Sequence, residues 1–113
     1  MLYLPGSKAR ENLVTKIGMQ TIIDEIHAFI LRAGGHQSTW YAGIANDPKS
    51  RLFDGHGVNE HGDVWIYRHA GSEIAARAIE NAFLSWGCKG GPGGGDANTY
   101  YVYAYKIASH TRE

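Results

Sequence analysis

YAGIANDPKSRLFDGH, from Tyr41 to His56, is the stretch around which the rest of the chain can be arranged. It begins within residues 39–44, which are aromatic and apolar and therefore typical of a strand. Asn46 or Asp47 can cap a short helix that follows the strand. Pro48 then lies in the first turn of that helix, where its missing N–H costs nothing. The pattern predicts a strand, an abrupt turn and a capped helix.

The same stretch brings two functional groups towards each other. Arg51 lies ten residues after Tyr41, and Gly55 is a natural end for the helix that carries it. Because the turn returns the helix to the side of the strand, we expect the phenol and the guanidinium to meet. They would meet above Gly43, where the absence of a side chain lets a ligand approach the backbone.

The composition indicates a small, formally neutral domain. With 113 residues, the chain is long enough for one core and too short for two. Its 11 basic residues balance 11 acidic ones, so no overall attraction to nucleic acid or to an anionic membrane is expected. The single Cys88 excludes an internal disulfide and a multi-cysteine zinc site, and it favours a reducing compartment. Neither a signal peptide nor a membrane span is predicted, so we expect a cytoplasmic protein.

Periodicity predicts the remaining elements and an α+β fold. An apolar stripe of helical period predicts an amphipathic helix over residues 19–33, and a second helix is predicted over 72–86, with Ser72 as its N-cap. Before residue 18 the chain reads as irregular, with one helical turn near Arg10 to Thr15. Strands near 39–44, 64–69 and 100–107 form a small antiparallel sheet flanked by these helices and by the short helix 48–54. The predicted core consists of Ile22, Ile26, Phe29, Ile30, Trp40, Ile44, Leu52, Ile66, Ile79 and Phe83.

The central stretch resembles the second half of the signature of the GIY-YIG nucleases. Members of that family often carry Tyr-x-Gly, then an Asp, an Arg on a helix and a nearby His. This chain has Tyr41, Gly43, Asp47, Arg51 and His56 in that order. His56 follows the Arg by five residues, where four is common in the family. The resemblance implies a metal-dependent phosphodiester hydrolase.

Glu80 lies at the edge of the apolar stripe of the second predicted helix. An ordinary flanking Glu is one interpretation, because charged residues commonly rim apolar faces. The other is a ligand for Mg²⁺ or Mn²⁺, which a half-buried carboxylate beside the sheet would suit. The resemblance supports the second interpretation, since GIY-YIG enzymes carry a metal-binding Glu after an Ala on the helix that follows their third strand. Ala76 and Glu80 stand in that relation.

The first strand of the family has no counterpart before Tyr41, where a helix is predicted instead. Val102-Tyr103, in the last predicted strand, is similar to the second half of the GIY motif without its Gly. We therefore hypothesise a circular permutation in which the C-terminal strand lies beside residues 39–44, which sheets tolerate when chain ends lie close together. A single domain results, with residues 1–35 as an N-terminal helical addition and 36–107 as the GIY-YIG-like core.

The resemblance implies a role for each candidate residue. Tyr103 would act as the general base or orient it, Tyr41 would line the site, and Arg51 would neutralise charge developing on the phosphate. His56 is either a proton relay or an ordinary polar residue, and Glu80 would hold the divalent metal. The substrate would be DNA or RNA, bound with help from a partner protein or a homodimer, because a neutral chain has few phosphate contacts to offer.

Two other classes of function stay open. The first is a catalytically inactive GIY-YIG-like binding or inhibitory module of the kind found in phage and mobile elements. The second is an unrelated α+β domain in which the short motif occurs by chance. The polar loop with Glu60, His61 and Asp63 fits no zinc spacing, and the glycines from Gly90 to Gly95 match no P-loop and favour a flexible loop.

Overall fold

The computed structural model describes residues 7–91 and 98–113 and shows an α+β fold. Helix α1 (Ser7–Arg32) is followed by strand β1 (Trp40–Ala45), a short π-helix (Ser50–Gly55) and strand β2 (Trp65–His69). Helix α2 (Glu73–Ser85) and strand β3 (Tyr101–Lys106) complete the domain. The predicted three strands and two main helices are therefore confirmed.

The three strands form one antiparallel sheet in the order β1-β3-β2. The C-terminal strand β3 is central and pairs with β1 on one side, where Gly43 opposes Tyr103, and with β2 on the other, where Tyr67 opposes Tyr103. The predicted pairing of the last strand with the Tyr41 strand is thus confirmed. A further contact on the outer edge of β1 was not predicted: Lys89 forms a parallel bridge with Tyr41 through backbone bonds of 2.8 and 2.9 Å.

The two faces of the sheet bury different kinds of side chain. One face packs against α1 and α2 through Trp40 and through small and aliphatic residues, which allow the helices to approach closely. The other face is aromatic and is covered in part by the π-helix and the loop after it, with Leu52 and Val58 buried against Tyr103 and Tyr105. Of the predicted core, eight residues are buried, and Ile22 and Phe29 are partly buried at its margin.

Most of the helix ends carry the capping residue or the glycine that the sequence predicts there. Asp47 caps the π-helix by accepting a hydrogen bond of 3.1 Å from the backbone N–H of Ser50, and Ser72 accepts one of 3.1 Å from Ala75. Gly34 and Gly87 follow the two main helices with φ angles of 74° and 109°, which other residues rarely adopt.

The prediction for the N-terminal part was wrong. Instead of an irregular segment with one turn near Arg10 to Thr15, α1 is continuous from Ser7. The apolar stripe of the sequence begins only at Met19, because only the later part of α1 packs against the core; Leu13 and Ile17 are exposed. Residues 92–97 of the predicted glycine loop lie outside the described residues. No helix among the described residues has the length and apolar character needed to cross a bilayer.

Candidate active site

The site lies on the aromatic face of the sheet, where β1 and β3 run side by side. In the β1–β3 register Tyr41 opposes Tyr105 and Gly43 opposes Tyr103. A Cβ atom on Gly43 would lie 2.5 Å from Cζ of Tyr103, so the missing side chain is what makes room for the Tyr103 ring. Tyr41 stacks on Tyr105 with 5.2 Å between ring centroids and on Tyr103 with 6.4 Å. Pairing of the two strands therefore assembles three phenols.

His56 lies against these phenols, immediately after the π-helix. Its ring centroid is 4.6 Å from that of Tyr41. Nδ1 is 2.6 Å from the backbone carbonyl oxygen of Arg112, and Nε2 is 2.7 Å from the hydroxyl of Tyr103. Because a carbonyl oxygen can only accept, Nδ1 must carry the proton and donate it. In the neutral imidazole Nε2 is then an acceptor, and the Tyr103 hydroxyl donates to it.

Burial keeps the groups of this site neutral. It lowers the pKa of His56 below its usual value, an effect that the carbonyl of Arg112 opposes and the charge of Arg51 reinforces. Burial also raises the pKa of Tyr103, with a further contribution from Tyr41. At neutral pH the pair is therefore an uncharged imidazole and an uncharged phenol. Both shifts hold the shared proton on the Tyr103 oxygen, so its transfer to Nε2 has to be coupled to the arrival of another proton at that oxygen.

Glu80 projects from α2 into the interior. It is 2% exposed, so the predicted half-buried position is wrong, and its Oε1 has no hydrogen-bond partner among the described residues. Burial raises the pKa of Glu80, and the charge of Arg77 opposes this. The charge of Glu80 in turn raises the pKa of Tyr41 and of Tyr103, after burial as the main cause, so the carboxylate belongs to the same electrostatic environment. An acid without a partner at this depth is costly unless a cation or proton neutralises it.

Arg51 and Tyr41 form the solvent-facing side of the site. Arg51 is exposed, and its side chain crosses Gly55, where a Cβ would lie 3.3 Å from Cδ. Its positive charge lowers the pKa of Tyr41 and of Tyr103 against the larger effect of burial. Tyr41 is half-buried, and its hydroxyl also receives a backbone hydrogen bond from Gly91. Of the predicted site residues, Tyr41, His56 and Tyr103 are in direct contact, whereas the side chains of Arg51 and Glu80 are connected to them only through the effect of their charges on the pKa of Tyr41, of Tyr103 and, for Arg51, of His56.

Among the described residues, a divalent ion would have Glu80 as its protein ligand. The described residues contain no group of three or more His, Cys, Asp or Glu that could hold a metal. Mg²⁺ does not require one, because it keeps several waters and commonly takes one or two protein carboxylates together with substrate phosphate. The partnerless Oε1 of Glu80 is the oxygen that such an ion would use.

The polar loop after the π-helix has a structural role. His61 is almost fully exposed, with a side chain at 93%. Asp63 accepts a hydrogen bond of 2.8 Å from the backbone of Asn59 and pairs with His110 at 2.5 Å. Cys88 is also structural: it is buried, its Sγ lies 3.0 Å from Gln37, and burial raises its pKa to about 11.

Sequence reasoning missed two contributors to the site. Tyr105, whose hydroxyl donates to the Arg112 carbonyl at 3.2 Å, could have been found from its alternation with Tyr103. The backbone of Arg112 carries no sequence signal, yet it clamps His56: its N–H donates to the His56 carbonyl at 2.7 Å and its carbonyl receives the Nδ1 proton.

Comparison of the chain with protein-family models, with curated proteins and with solved structures finds no significant match.

Proposed function

We propose that this protein hydrolyses phosphodiester bonds in nucleic acid with the help of one divalent metal ion, on a circularly permuted fold of the GIY-YIG type. The observation that carries the proposal is the hydrogen bond of 2.7 Å from the Tyr103 hydroxyl to Nε2 of His56. The buried Glu80, whose Oε1 has no partner among the described residues, adds to it because its charge raises the pKa of Tyr41 and of Tyr103. The antiparallel pairing of β3 with β1 supports the permutation, since it puts Tyr103 next to the Tyr41 strand.

The Tyr103–His56 pair is suited to general base catalysis. Tyr103 is fully buried, so the step requires a water molecule to enter beside its phenol oxygen. That water would give the oxygen a proton as the phenol passes its own proton to Nε2. His56 can accept that proton because Nδ1–H is already bound to the Arg112 carbonyl, so the ring becomes an imidazolium with both nitrogens donating. No phenolate is needed at any point, which suits a tyrosine whose pKa is raised by burial.

Arg51 and Tyr41 are placed to handle the phosphate. Arg51 is exposed, and among the described residues no ion pair engages it, so its guanidinium can bind two phosphate oxygens. Tyr41 can donate its hydroxyl proton to a third oxygen. Glu80 would hold the Mg²⁺ or Mn²⁺, which when bound supplies charge stabilisation to the phosphate and leaving oxygen.

Cleavage assays on single-stranded DNA, RNA and plasmid with Mg²⁺ or Mn²⁺ test the proposal. Replacing Glu80 with Gln keeps the shape of the side chain and removes its charge. Arg51→Ala removes the guanidinium group. Each change should lower the cleavage rate by roughly 10²- to 10³-fold, as loss of one transition-state contact does. Glu60→Gln, in the exposed loop, is the matched control and should cleave normally.

A second readout does not depend on activity. Mg²⁺ should raise the melting temperature of the wild type and of Glu60→Gln but not of Glu80→Gln, because a ligand stabilises only the protein that binds it. Cleavage that survives both the Glu80 and the Arg51 substitutions would show that this site is not responsible. If no substrate is cleaved and Mg²⁺ does not change the melting temperature, the catalytic proposal is wrong and the inactive binding module becomes the better explanation.

A further inference from the structure

A row of aromatic rings continues from the site across the same face of the sheet. Trp65 and Tyr67 of β2 are stacked almost in parallel, with 6.0 Å between centroids and 6° between planes. Tyr101 of β3 meets Tyr67 edge to face, also at 6.0 Å. All three are partly exposed; one face of Tyr67 is occupied by Trp65, and Tyr101 also meets His69 edge to face at 4.8 Å. We call Trp65, Tyr67 and Tyr101 the aromatic row.

The aromatic row adjoins the proposed catalytic pair. Tyr67 opposes Tyr103 in the β2–β3 register, and side chains of opposed residues share one face of a sheet. Phe53 of the π-helix packs edge to face against Trp65, with 5.1 Å between the ring centroids. The Trp65 indole N–H is bonded to the carbonyl of Glu60 at 2.9 Å, which fixes the plane of that ring.

Shallow grooves connect the row to two cations. One groove is lined by Asn46, Asp47, Pro48, Lys49, Tyr67 and Tyr101. The next groove shares Asn46 and Asp47 and reaches Arg51. Lys49 and Arg51 are exposed, and within residues 7–91 and 98–113 neither takes part in an ion pair. Partly exposed rings and two exposed positive charges thus lie along one path, which ends at Arg51 and has Asp47 in both of its grooves.

We propose that this path binds an unpaired nucleic-acid strand, whose bases stack on Tyr67 and Tyr101 and whose phosphates pass Lys49 and Arg51. The inference rests on the proposed function and specifies its substrate as single-stranded. Stacking suits unpaired bases, since their faces are free, whereas in a duplex they are already stacked on each other.

Charge argues against a duplex as the preferred partner. Duplex binding depends mainly on many phosphate contacts with Lys and Arg. Here the chain is neutral, and the groove at Arg51 also contains Asp47 and Asp54. Two cations among two acids give few such contacts, so most of the affinity has to come from the rings.

Binding is measured with the Glu80→Gln protein, so that cleavage does not consume the nucleic acid. The ligands are fluorescein-labelled dT12, U12 and a 12-base-pair duplex. We expect dT12, U12 or both to bind more tightly than the duplex, and the ratio between them shows which sugar is preferred. With only two phosphate contacts, the slope of log K against log salt should be about −1.4. Tyr67→Ala and Tyr101→Ala, each added to Glu80→Gln, should weaken strand binding roughly tenfold or more.

The controls separate stacking from general damage to the fold. Tyr67→Phe keeps the ring and should bind like its parent. Trp86→Ala removes an exposed aromatic from the helical side of the molecule and should also leave binding unchanged. Preference for the duplex, normal binding by both alanine variants, or no binding of any strand would each overturn the inference.

The experiment also distinguishes this inference from the proposed function. Cleavage by the wild type that prefers duplex over single strands would leave the hydrolase standing and refute the stacking path. Strand binding through the aromatic row without any cleavage would support the stacking path and refute the hydrolase.

Discussion

The carbonyl oxygen of Arg112 decides what the imidazole of His56 can do. By accepting the Nδ1 proton it leaves Nε2 as a base, directed at the hydroxyl of Tyr103. If Nδ1 had faced solvent instead, either tautomer would be available, and the Tyr103 hydroxyl would have no fixed acceptor. A backbone atom 56 residues away in sequence thus sets the tautomer of the neutral His56 ring.

Tyr103→Phe tests the relay directly. The ring stays in place while the hydroxyl is lost, so we expect cleavage to fall by roughly 10²- to 10⁴-fold, the usual contribution of a general base. Strand binding by the aromatic row should be unchanged. Tyr100→Phe, an exposed neighbour, is the control and should retain full activity. A Tyr103→Phe protein that cleaves as fast as the wild type would remove Tyr103 from the mechanism.

The ring of Tyr103 in β3 lies over β1 at a position where only glycine leaves room for it. Gly43 faces Tyr103 across the ladder, and the Tyr103 ring occupies the space in which a side chain at position 43 would stand. Tyr41, two residues earlier on the same face, then closes over the site. The Tyr-x-Gly pattern is therefore explained by packing as well as by ligand access.

Gly43→Ala should distort this arrangement. Its Cβ would lie 2.5 Å from Tyr103 Cζ, so the phenol or the strand must shift, at a cost of roughly 1–3 kcal/mol in the free energy of unfolding. Urea denaturation measures the loss, and cleavage should fall with it as the Tyr103 hydroxyl moves. Gly62→Ala has its nearest neighbour at 3.7 Å and is the matched control. Equal stability of the two variants would contradict the close packing at Gly43.

Two buried titratable groups give the folded protein opposite responses to pH. The pKa of His56 is lowered, so its contribution to stability is complete above about pH 6.5 and is lost as pH falls through the folded-state pKa. The pKa of Glu80 is raised, so its penalty is absent at low pH and grows as pH rises above about 4.5. The Glu80 penalty at neutral pH fits a position kept for a ligand rather than for stability.

Glu80→Gln should therefore stabilise the metal-free protein, and by an amount that depends on pH. We expect the gain in unfolding free energy over the wild type to be small near pH 5 and larger at pH 8, measured by urea denaturation in the presence of a chelator. Glu60→Gln should show no such trend. A gain independent of pH, or a loss at pH 8, would mean that the Glu80 carboxylate has a partner in solution.

Local patterns were sufficient for the elements themselves. Asp47 and Ser72 cap helices as their positions predict, and the alternation in β3 correctly assigns Tyr101, Tyr103 and Tyr105 to one face. The extent of α1 was underestimated, because before Met19 its sequence carries no apolar stripe and the helix there leaves Leu13 and Ile17 in solvent. Periodicity detects only the part of a helix that is packed.

The sequence thus specified which side chains were available, and the pairing of distant strands decided which of them lie in contact. Tyr41, Arg51, His56, Glu80 and Tyr103 could be named from their types, their spacing and a resemblance. Three features could not be predicted in this way: the depth of Glu80, the acceptor of the His56 proton and the bridge from Lys89 to β1. Each depends on segments that are far apart in the sequence. Short-range propensities act through the local backbone, whereas burial and long-range hydrogen bonds exist only once those segments have packed together.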